Sequence, residues 1–261
     1  MANIGIIGGS GIYEMKGLQK VKDIPLETPF GKPSDSFKIV KIGGKDVVFL
    51  PRHNSTHNIP PHMINYRANI WGMKKLGVKT IIATGSVGSV SPILTPGDLV
   101  LPDQIIDMTK NRPTTFFDEE AVYHVDFTEP YCPALREFIL KNASLCSVPV
   151  YPRSTYVCTE GPRFETRAEI KLYGQIGSDI VGMTQMPEAV LARELELCYA
   201  VIATVTNYAA GISKEKLTTT EVIDAVKKVS QKLNNLLFQV VSEIGELYGC
   251  SCKNTLKDAK L

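Results

Sequence analysis

Four short β-branched runs constrain the fold of this chain more than any other feature. Ile4-Gly5-Ile6-Ile7, Thr80-Ile81-Ile82-Ala83-Thr84, Asp179-Ile180-Val181-Gly182-Met183 and Tyr199-Ala200-Val201-Ile202-Ala203-Thr204-Val205 carry apolar residues with little polar alternation. Strands of that kind are buried on both faces. Between them lie stretches with helical character, 61–76, 130–142, 166–173 and 187–196. Strands alternating with helices predict an α/β chain built on a mostly parallel sheet with helices on both faces. In a last helix Thr218 caps the start with Glu221 three residues on, and Val222, Val226, Val229, Leu233, Val240, Ile244 and Leu247 mark one apolar stripe, which reads as structural. No linker divides the chain, so residues 1–261 are expected to form one domain.

Charge narrows the partners. Lys plus Arg is 29 against 27 for Asp plus Glu, a net charge of +2, which offers no strong field for a polyanion and argues against nucleic acid. The longest apolar stretches are interrupted and fall short of the roughly 20 residues that a bilayer span needs, so no membrane association is expected. The start, Met1-Ala2-Asn3-Ile4-Gly5, has no basic region before it enters a strand pattern, and a cytoplasmic protein is expected. The cysteines Cys132, Cys146, Cys158, Cys198, Cys250 and Cys252 are too scattered for the framework of a small secreted fold. Cys250-Ser251-Cys252 stands apart: two idle thiols, a redox pair or a stabilising disulfide, the last implying a hyperthermophile. As half of a zinc site it would need a second pair at comparable spacing, and the sequence has none.

Several segments carry candidate chemistry. Gly8-Gly9-Ser10-Gly11 follows the first strand, where backbone N–H groups can converge on an anion beside the Ser10 hydroxyl; its plainer reading is a turn. The spacing fits neither the dinucleotide fingerprint nor the P-loop. The proline-bounded loop 51–62 gathers Arg52, His53, His57 and His62. The arginine fork suits a bidentate phosphate contact with His53 as a further donor. A metal site on the histidines is the rival, weakened because no glutamate follows His53 as H-E-x-x-H requires. Gly85-Ser86-Val87-Gly88-Ser89 offers more small-residue N–H groups, or simply ends a strand. Thr159-Glu160-Gly161-Pro162-Arg163-Phe164-Glu165-Thr166 sets an aromatic ring and carboxylates in a turn, as a flat heterocycle with N–H groups needs; Glu160 and Arg163 would alternatively brace that turn. With Gly182-Met183-Thr184 and Thr206-Asn207-Tyr208-Ala209-Ala210-Gly211, these segments are expected to converge at one edge of the sheet.

In this order the glycine turn, Arg52-His53, Asn65-Tyr66-Arg67-Ala68-Asn69-Ile70-Trp71, Glu160-Gly161-Pro162-Arg163-Phe164 and Gly182-Met183-Thr184 resemble the trimeric phosphorylase family that contains 5′-methylthioadenosine phosphorylase and purine nucleoside phosphorylases. The resemblance covers essentially the whole chain and implies a nucleoside phosphorylase fold around a mixed sheet. It matches Ser10, Arg52, His53, Ser86 and Thr184 to phosphate positions, Met183 to the ribose contact and Phe164 to the same substrate site. It further implies a homotrimer, or a dimer of trimers, in which a neighbouring subunit completes each site, with His124 reaching the 5′ end of the sugar. Inorganic phosphate is then a co-substrate, and no metal or organic cofactor is implied.

Two departures bear on specificity. The methylthioadenosine enzymes of the family carry Asp where this chain has Asn207 and Ala209, and Ser where it has Glu165; these positions face the base. Glu165 and Asn207 resemble instead the enzymes that take inosine and guanosine. An ionised Glu165 accepts N1–H of a 6-oxopurine, whereas adenine presents a lone pair there, a mismatch that costs roughly 10⁴ in discrimination. Asn207 both donates and accepts, and so suits O6 and the N7 that gains a proton as the base leaves. The expected activity is phosphate-dependent cleavage of inosine- or guanosine-type nucleosides, with S-methyl-5′-thioinosine or 5′-methylthioadenosine as the alternative substrate, since His124 and the body of the chain resemble the methylthio branch.

Overall fold

The computed structural model describes residues 3–8, 19–118, 121–213, 219–247 and 249–261. Ser10 and Thr218, expected to bind an anion and to cap the last helix, lie outside the described residues. Among those described, eleven strands join one mixed sheet. Its centre is β1 (Ile4–Gly8), β5 (Thr80–Ser89) and β11 (Cys198–Tyr208), with β5 parallel to β1 on one side and to β11 on the other. β4 (Lys45–Pro51) runs parallel to β1, and β3 (Phe37–Ile42) and β2 (Gln19–Ile24) continue antiparallel beyond it. Beyond the end of β1, on the same side of β5, β10 (Ile180–Gly182) pairs antiparallel with the end of β5, followed by β9 (Thr155–Thr159) and β7 (Gln104–Met108). The short β6 (Leu99–Val100) and β8 (Val150–Tyr151) extend from β11.

The side chains of the central strands divide between two cores as the two-residue period requires. Ile7, Ile81, Ala83, Tyr199, Val201 and Ala203 join a core with Tyr66, Ile70 and Met73 of α1 (Tyr66–Lys75) and Leu191 and Ala192 of α4 (Glu188–Glu194). Ile4, Ile6, Ile82, Ala200 and Ile202 face the other, with Leu135 and Ile139 of α2 (Pro133–Leu145) and Leu236, Leu237, Val240 and Val241 of α5 (Thr219–Glu243). Helices therefore cover both faces. A third, smaller core sits under α3 (Arg167–Gln175), where Ile170 and Tyr173 meet Val157 and Val181.

The expected elements are present with shifted ends. The 61–76 stretch is not one helix: a 3-10 turn at Pro61–Met63 gives way to extended backbone at Ile64, and the Asn65 side chain then caps α1 through the Ala68 N–H. Thr166 likewise sits outside α3 as its cap, in a capping box with Glu169. Helix α5 ends at Glu243, so Ile244 and Leu247 of the expected stripe pack from the segment after it.

The antiparallel hairpin of β3 and β4 turns at Gly43 and Gly44, both at positive φ (56° and 79°), the backbone that a two-residue hairpin needs. Gly85-Ser86-Val87-Gly88-Ser89 closes β5 as its last five residues, within the strand and not as a turn after it. The C-terminal segment returns to the body and brings the sulfurs of Cys250 and Cys252 together with those of Cys132 and Cys198. Linear spacing alone offered no second cysteine pair; the fold assembles one from distant segments. All six cysteines are free thiols. Among the described residues, no helix is long and apolar enough to cross a membrane.

Candidate active site

A break in strand pairing creates the site. Strand β1 accompanies β5 as far as Ala83, and β10 joins the same side of β5 only at Gly88. Among the described residues, 84–87 keep β11 as their only ladder partner, and a cavity of about 410 Å³ opens against them. In an otherwise buried strand Ser86 is exposed and Gly85 half-buried, because this stretch borders empty space.

Arg52, immediately after β4, fills the back of that break. Its guanidinium donates to the unpaired carbonyl of Thr84 (NH1, 2.7 Å), more weakly to that of Ile7 (3.5 Å), and through Nε and NH2 to both carboxylate oxygens of Glu188 (2.7 and 2.8 Å). Both side chains are buried, at 2% and 0% exposure. Burial alone would depress the arginine's pKa, but the charge and hydrogen bonds of Glu188 outweigh it and raise it. The expected free fork is thus corrected: it grips Glu188 at the head of α4, leaving a single N–H of NH1 uncommitted among the described residues. The Tyr199 hydroxyl lies 2.8 Å from Glu188 Oε1 and 2.6 Å from Gln185 Oε1. Gln185 Nε2 is buried with no partner among the described residues, and a Cβ placed on Gly85 would stand 3.7 Å from it and 3.9 Å from Thr184 Oγ1.

His53 lines the cavity beside Arg52. Its Nδ1 lies 2.8 Å from the Ile59 carbonyl, which can only accept, so Nδ1 carries the proton. Burial, with the charges of Arg52 and His57 adding to it, lowers its pKa to about 4 against the pull of Ile59. At neutral pH the ring is uncharged and its Nε2 is a lone pair. With this tautomer Nε2 presents an acceptor, which suits the P–OH of a protonated phosphate, where a donor was expected. The His53 and His57 rings stand 4.7 Å apart, but among the described residues the histidine loop gathers no third metal-ligating group.

At another wall, β11 bulges against β5 between Val205 and Asn207, a device that re-aims side chains near functional sites. It turns Asn207, 4% exposed, toward the cavity. Asn207 Oδ1 accepts from the Thr206 hydroxyl (2.8 Å) and Nδ2 donates to the Tyr208 carbonyl (3.0 Å), which leaves one N–H and one lone pair. Gly88 permits this approach, since a Cβ there would meet Asn207 Nδ2 at 3.1 Å. Glu165 Oε1 accepts from the Thr159 hydroxyl (2.7 Å), and its other oxygen has no hydrogen bond among the described residues. Phe164, Met183, Thr184 and Ala209 line the same cavity. Gly161, at φ 67°, lies so close to Met183 that a Cβ would sit 2.6 Å from its sulfur.

Some residues of the turn only brace it, as their alternative reading held. Glu160 Oε2 accepts from Lys110 N and Arg112 Nε, and Arg163 holds Glu169 with two hydrogen bonds. Arg112, which sequence reasoning did not single out, is 8% exposed and donates to the carbonyls of Met183, Met186, Thr159 and Glu160, pinning the β9 and β10 ends together. Glu188 was also missed. So was the face of α5 that carries Ile223, Val226, Lys227 and Ser230 along the cavity, which corrects the purely structural reading of that helix. His124 does not line the cavity; it is exposed, on a stretch whose backbone bonds the tail at Ala259.

Comparison with known proteins agrees with this architecture. The sequence model described as the phosphorylase superfamily matches residues 3–242. A 6-oxopurine nucleoside phosphorylase of Pyrococcus furiosus is 50% identical over 99% of both chains. A probable S-methyl-5′-thioinosine phosphorylase of Thermodesulfovibrio yellowstonii is 46% identical over 98% of this chain and 96% of its own. Among solved structures, a methylthioadenosine phosphorylase sourced from an antarctic soil metagenomic library superposes with a TM-score of 0.92 at 38% identity, covering 100% of this chain and 92% of that one. With the sheet, the cavity at its broken pairing and these relatives in agreement, the chain belongs to the phosphorylase superfamily.

Proposed function

We propose that the protein is a 6-oxopurine nucleoside phosphorylase, which converts an inosine- or guanosine-type nucleoside and inorganic phosphate into free base and ribose 1-phosphate. The observation that carries the reading is that Glu165 and Asn207 line one cavity with the phosphate candidates, each with hydrogen-bonding capacity left over. The free Glu165 oxygen accepts N1–H of a 6-oxopurine, and the remaining donor and acceptor of Asn207 serve O6 and N7.

Ser86, Thr184, the free N–H of Arg52 and Nε2 of His53 orient phosphate, with Ser10 assigned by resemblance. A phosphate oxygen bonds to C1′ as the C1′–N9 bond breaks, the electron pair of that bond leaves with the base, and the base takes up at N7, by way of water, the proton that the P–OH of the phosphate gives up. Catalysis is positioning and charge stabilisation without a protein nucleophile, and phosphate is a co-substrate with no cofactor required. Met183 and Phe164 pack against the sugar and base.

The enzyme works in the cytoplasm as a homotrimer or dimer of trimers. Supporting this, His124 stands exposed and away from its own chain's cavity, so a 5′ contact by it requires another subunit. A second substrate has its own support: Ile223, Val226 and Leu233 give the cavity an apolar flank that suits a methylthio group, making S-methyl-5′-thioinosine the alternative. Release of base from inosine, guanosine, S-methyl-5′-thioinosine, adenosine and 5′-methylthioadenosine, with and without phosphate, tests both. Phosphate-dependent turnover of the 6-oxo substrates is expected; turnover independent of phosphate would refute the reading.

A further inference from the structure

Thr184, one of the phosphate candidates, stands outside any strand or helix, on the segment that joins β10 to α4. The residue after it, Gln185, is fully buried at 0% exposure, which is uncommon for an amide side chain unless its ends are hydrogen-bonded. One end of the amide meets the Tyr199 hydroxyl, and the other has no partner among the described residues. That second end faces the space over Gly85 in the cavity wall, where a Cβ would stand 3.7 Å from it and 3.9 Å from Thr184 Oγ1.

The protons around Tyr199 decide which end is which. Its single O–H has two groups in reach, Glu188 Oε1 at 2.8 Å and the Gln185 amide at 2.6 Å. Arg52 holds both Glu188 oxygens, so the carboxylate is ionised and takes the phenol proton in a charge-assisted bond. Burial and the nearby Glu188 charge keep the phenol itself protonated. The Tyr199 oxygen then shows Gln185 a lone pair, and an amide oxygen there would set acceptor against acceptor. Nitrogen and oxygen of an amide are told apart by their hydrogen bonds, and these bonds require the nitrogen at Tyr199. The change exchanges the two end atoms of Gln185 and moves no other group.

We propose that Gln185 is a positioning residue for phosphate, its amide nitrogen donating to Tyr199 and so tying Thr184 to the Arg52–Glu188 pair. Gln185 donates to Tyr199, Tyr199 donates to Glu188, and Glu188 accepts from Arg52, so each group meets the partner that its chemistry asks for. Thr184 comes from beyond the end of β10 and Arg52 from beyond the end of β4. The chain of bonds holds these two at a fixed spacing, as a site that grips one anion between them needs. The Gln185 carbonyl is left over Gly85 as an acceptor, which reserves the charged phosphate oxygens for the donors Thr184, Ser86 and Arg52. This role rests on the phosphorolytic reading above and deepens it.

Phosphate titrations of inosine cleavage by the full chain test it. Gln185→Met keeps the length of the side chain and removes the donor. Its phosphate KM should rise roughly tenfold, the scale of one hydrogen bond in a buried network. Its kcat at saturating phosphate and its KM for inosine should stay within about twofold of the wild type. Tyr199→Phe should move the same parameter, and the double variant should be no worse than Tyr199→Phe alone, because one link cannot be cut twice. In Gln185→Glu the phosphate KM, taken relative to the wild type at each pH, should not improve as pH rises, since an ionised carboxylate cannot donate to Tyr199. An unchanged phosphate KM in Gln185→Met, additive losses in the double variant, or a Gln185→Glu variant that approaches the wild type with rising pH would each overturn the proposal. Cleavage of inosine by the wild type without phosphate would fail the phosphorolytic reading first, and this role with it.

Discussion

The two polar clusters bordering the cavity differ in how much of their bonding is already committed. Around Arg52, the guanidinium, the Glu188 carboxylate and the Tyr199 hydroxyl satisfy one another within 2.8 Å, and four of the five guanidinium N–H groups are taken. Around Asn207 and Glu165, each side chain has partners enough to hold its orientation and keeps an atom free. A closed buried network makes a rigid, charged floor, whereas an open one recognises a ligand. The first cluster should therefore matter most to folding, and the second to turnover and choice of base.

The comparison breaks first at Glu188. Glu188→Ala strands the buried Arg52 charge, and we expect a loss of about 3–5 kcal/mol in urea unfolding; a variant as stable as the wild type would show that Arg52 is not held by this pair. Next comes Asn207→Ala, expected to lower kcat by roughly 10²–10³ as an oxyanion-type donor does, with the thermal midpoint nearly unchanged. If instead the midpoint collapses with kcat intact, Asn207 belongs to the closed class.

The smallest effect concerns His53. Its folded pKa of about 4 lies below the ordinary 6.5, so the unfolded chain binds more protons between those values. Its contribution to stability is complete above pH 6.5 and is lost as pH falls through about 4. Replacing it by Gln should flatten the stability profile in that window by roughly a kcal/mol, given the ring's partial exposure. A profile identical to the wild type in that window would mean that the ring titrates normally.

The strands buried on both faces were legible, because Ile4-Gly5-Ile6-Ile7 and Thr80-Ile81-Ile82-Ala83 leave no polar face to set a different geometry. The β3–β4 hairpin was overlooked although Phe37-Lys38-Ile39 and the Gly43-Gly44 pair carry its signal. Most residues around the cavity could be named from the sequence, but their bonding could not. Glu188 reads as an ordinary acid in a helix's first turn until β4 carries Arg52 to it. The His53 tautomer is set by the Ile59 carbonyl, six residues on, and the bulge that aims Asn207 depends on pairing with β5. The cysteine cluster escaped for a similar reason, since Cys132 and Cys250 are 118 residues apart.

The central claim is that the open pair reads the base, and it is tested most directly by the ratio of kcat/KM for inosine to that for adenosine in the wild type and in Glu165→Gln. The account predicts a strong preference for inosine in the wild type that falls toward unity in the variant, because the amide can donate to adenine N1. A preference for inosine that survives the substitution undiminished would contradict it.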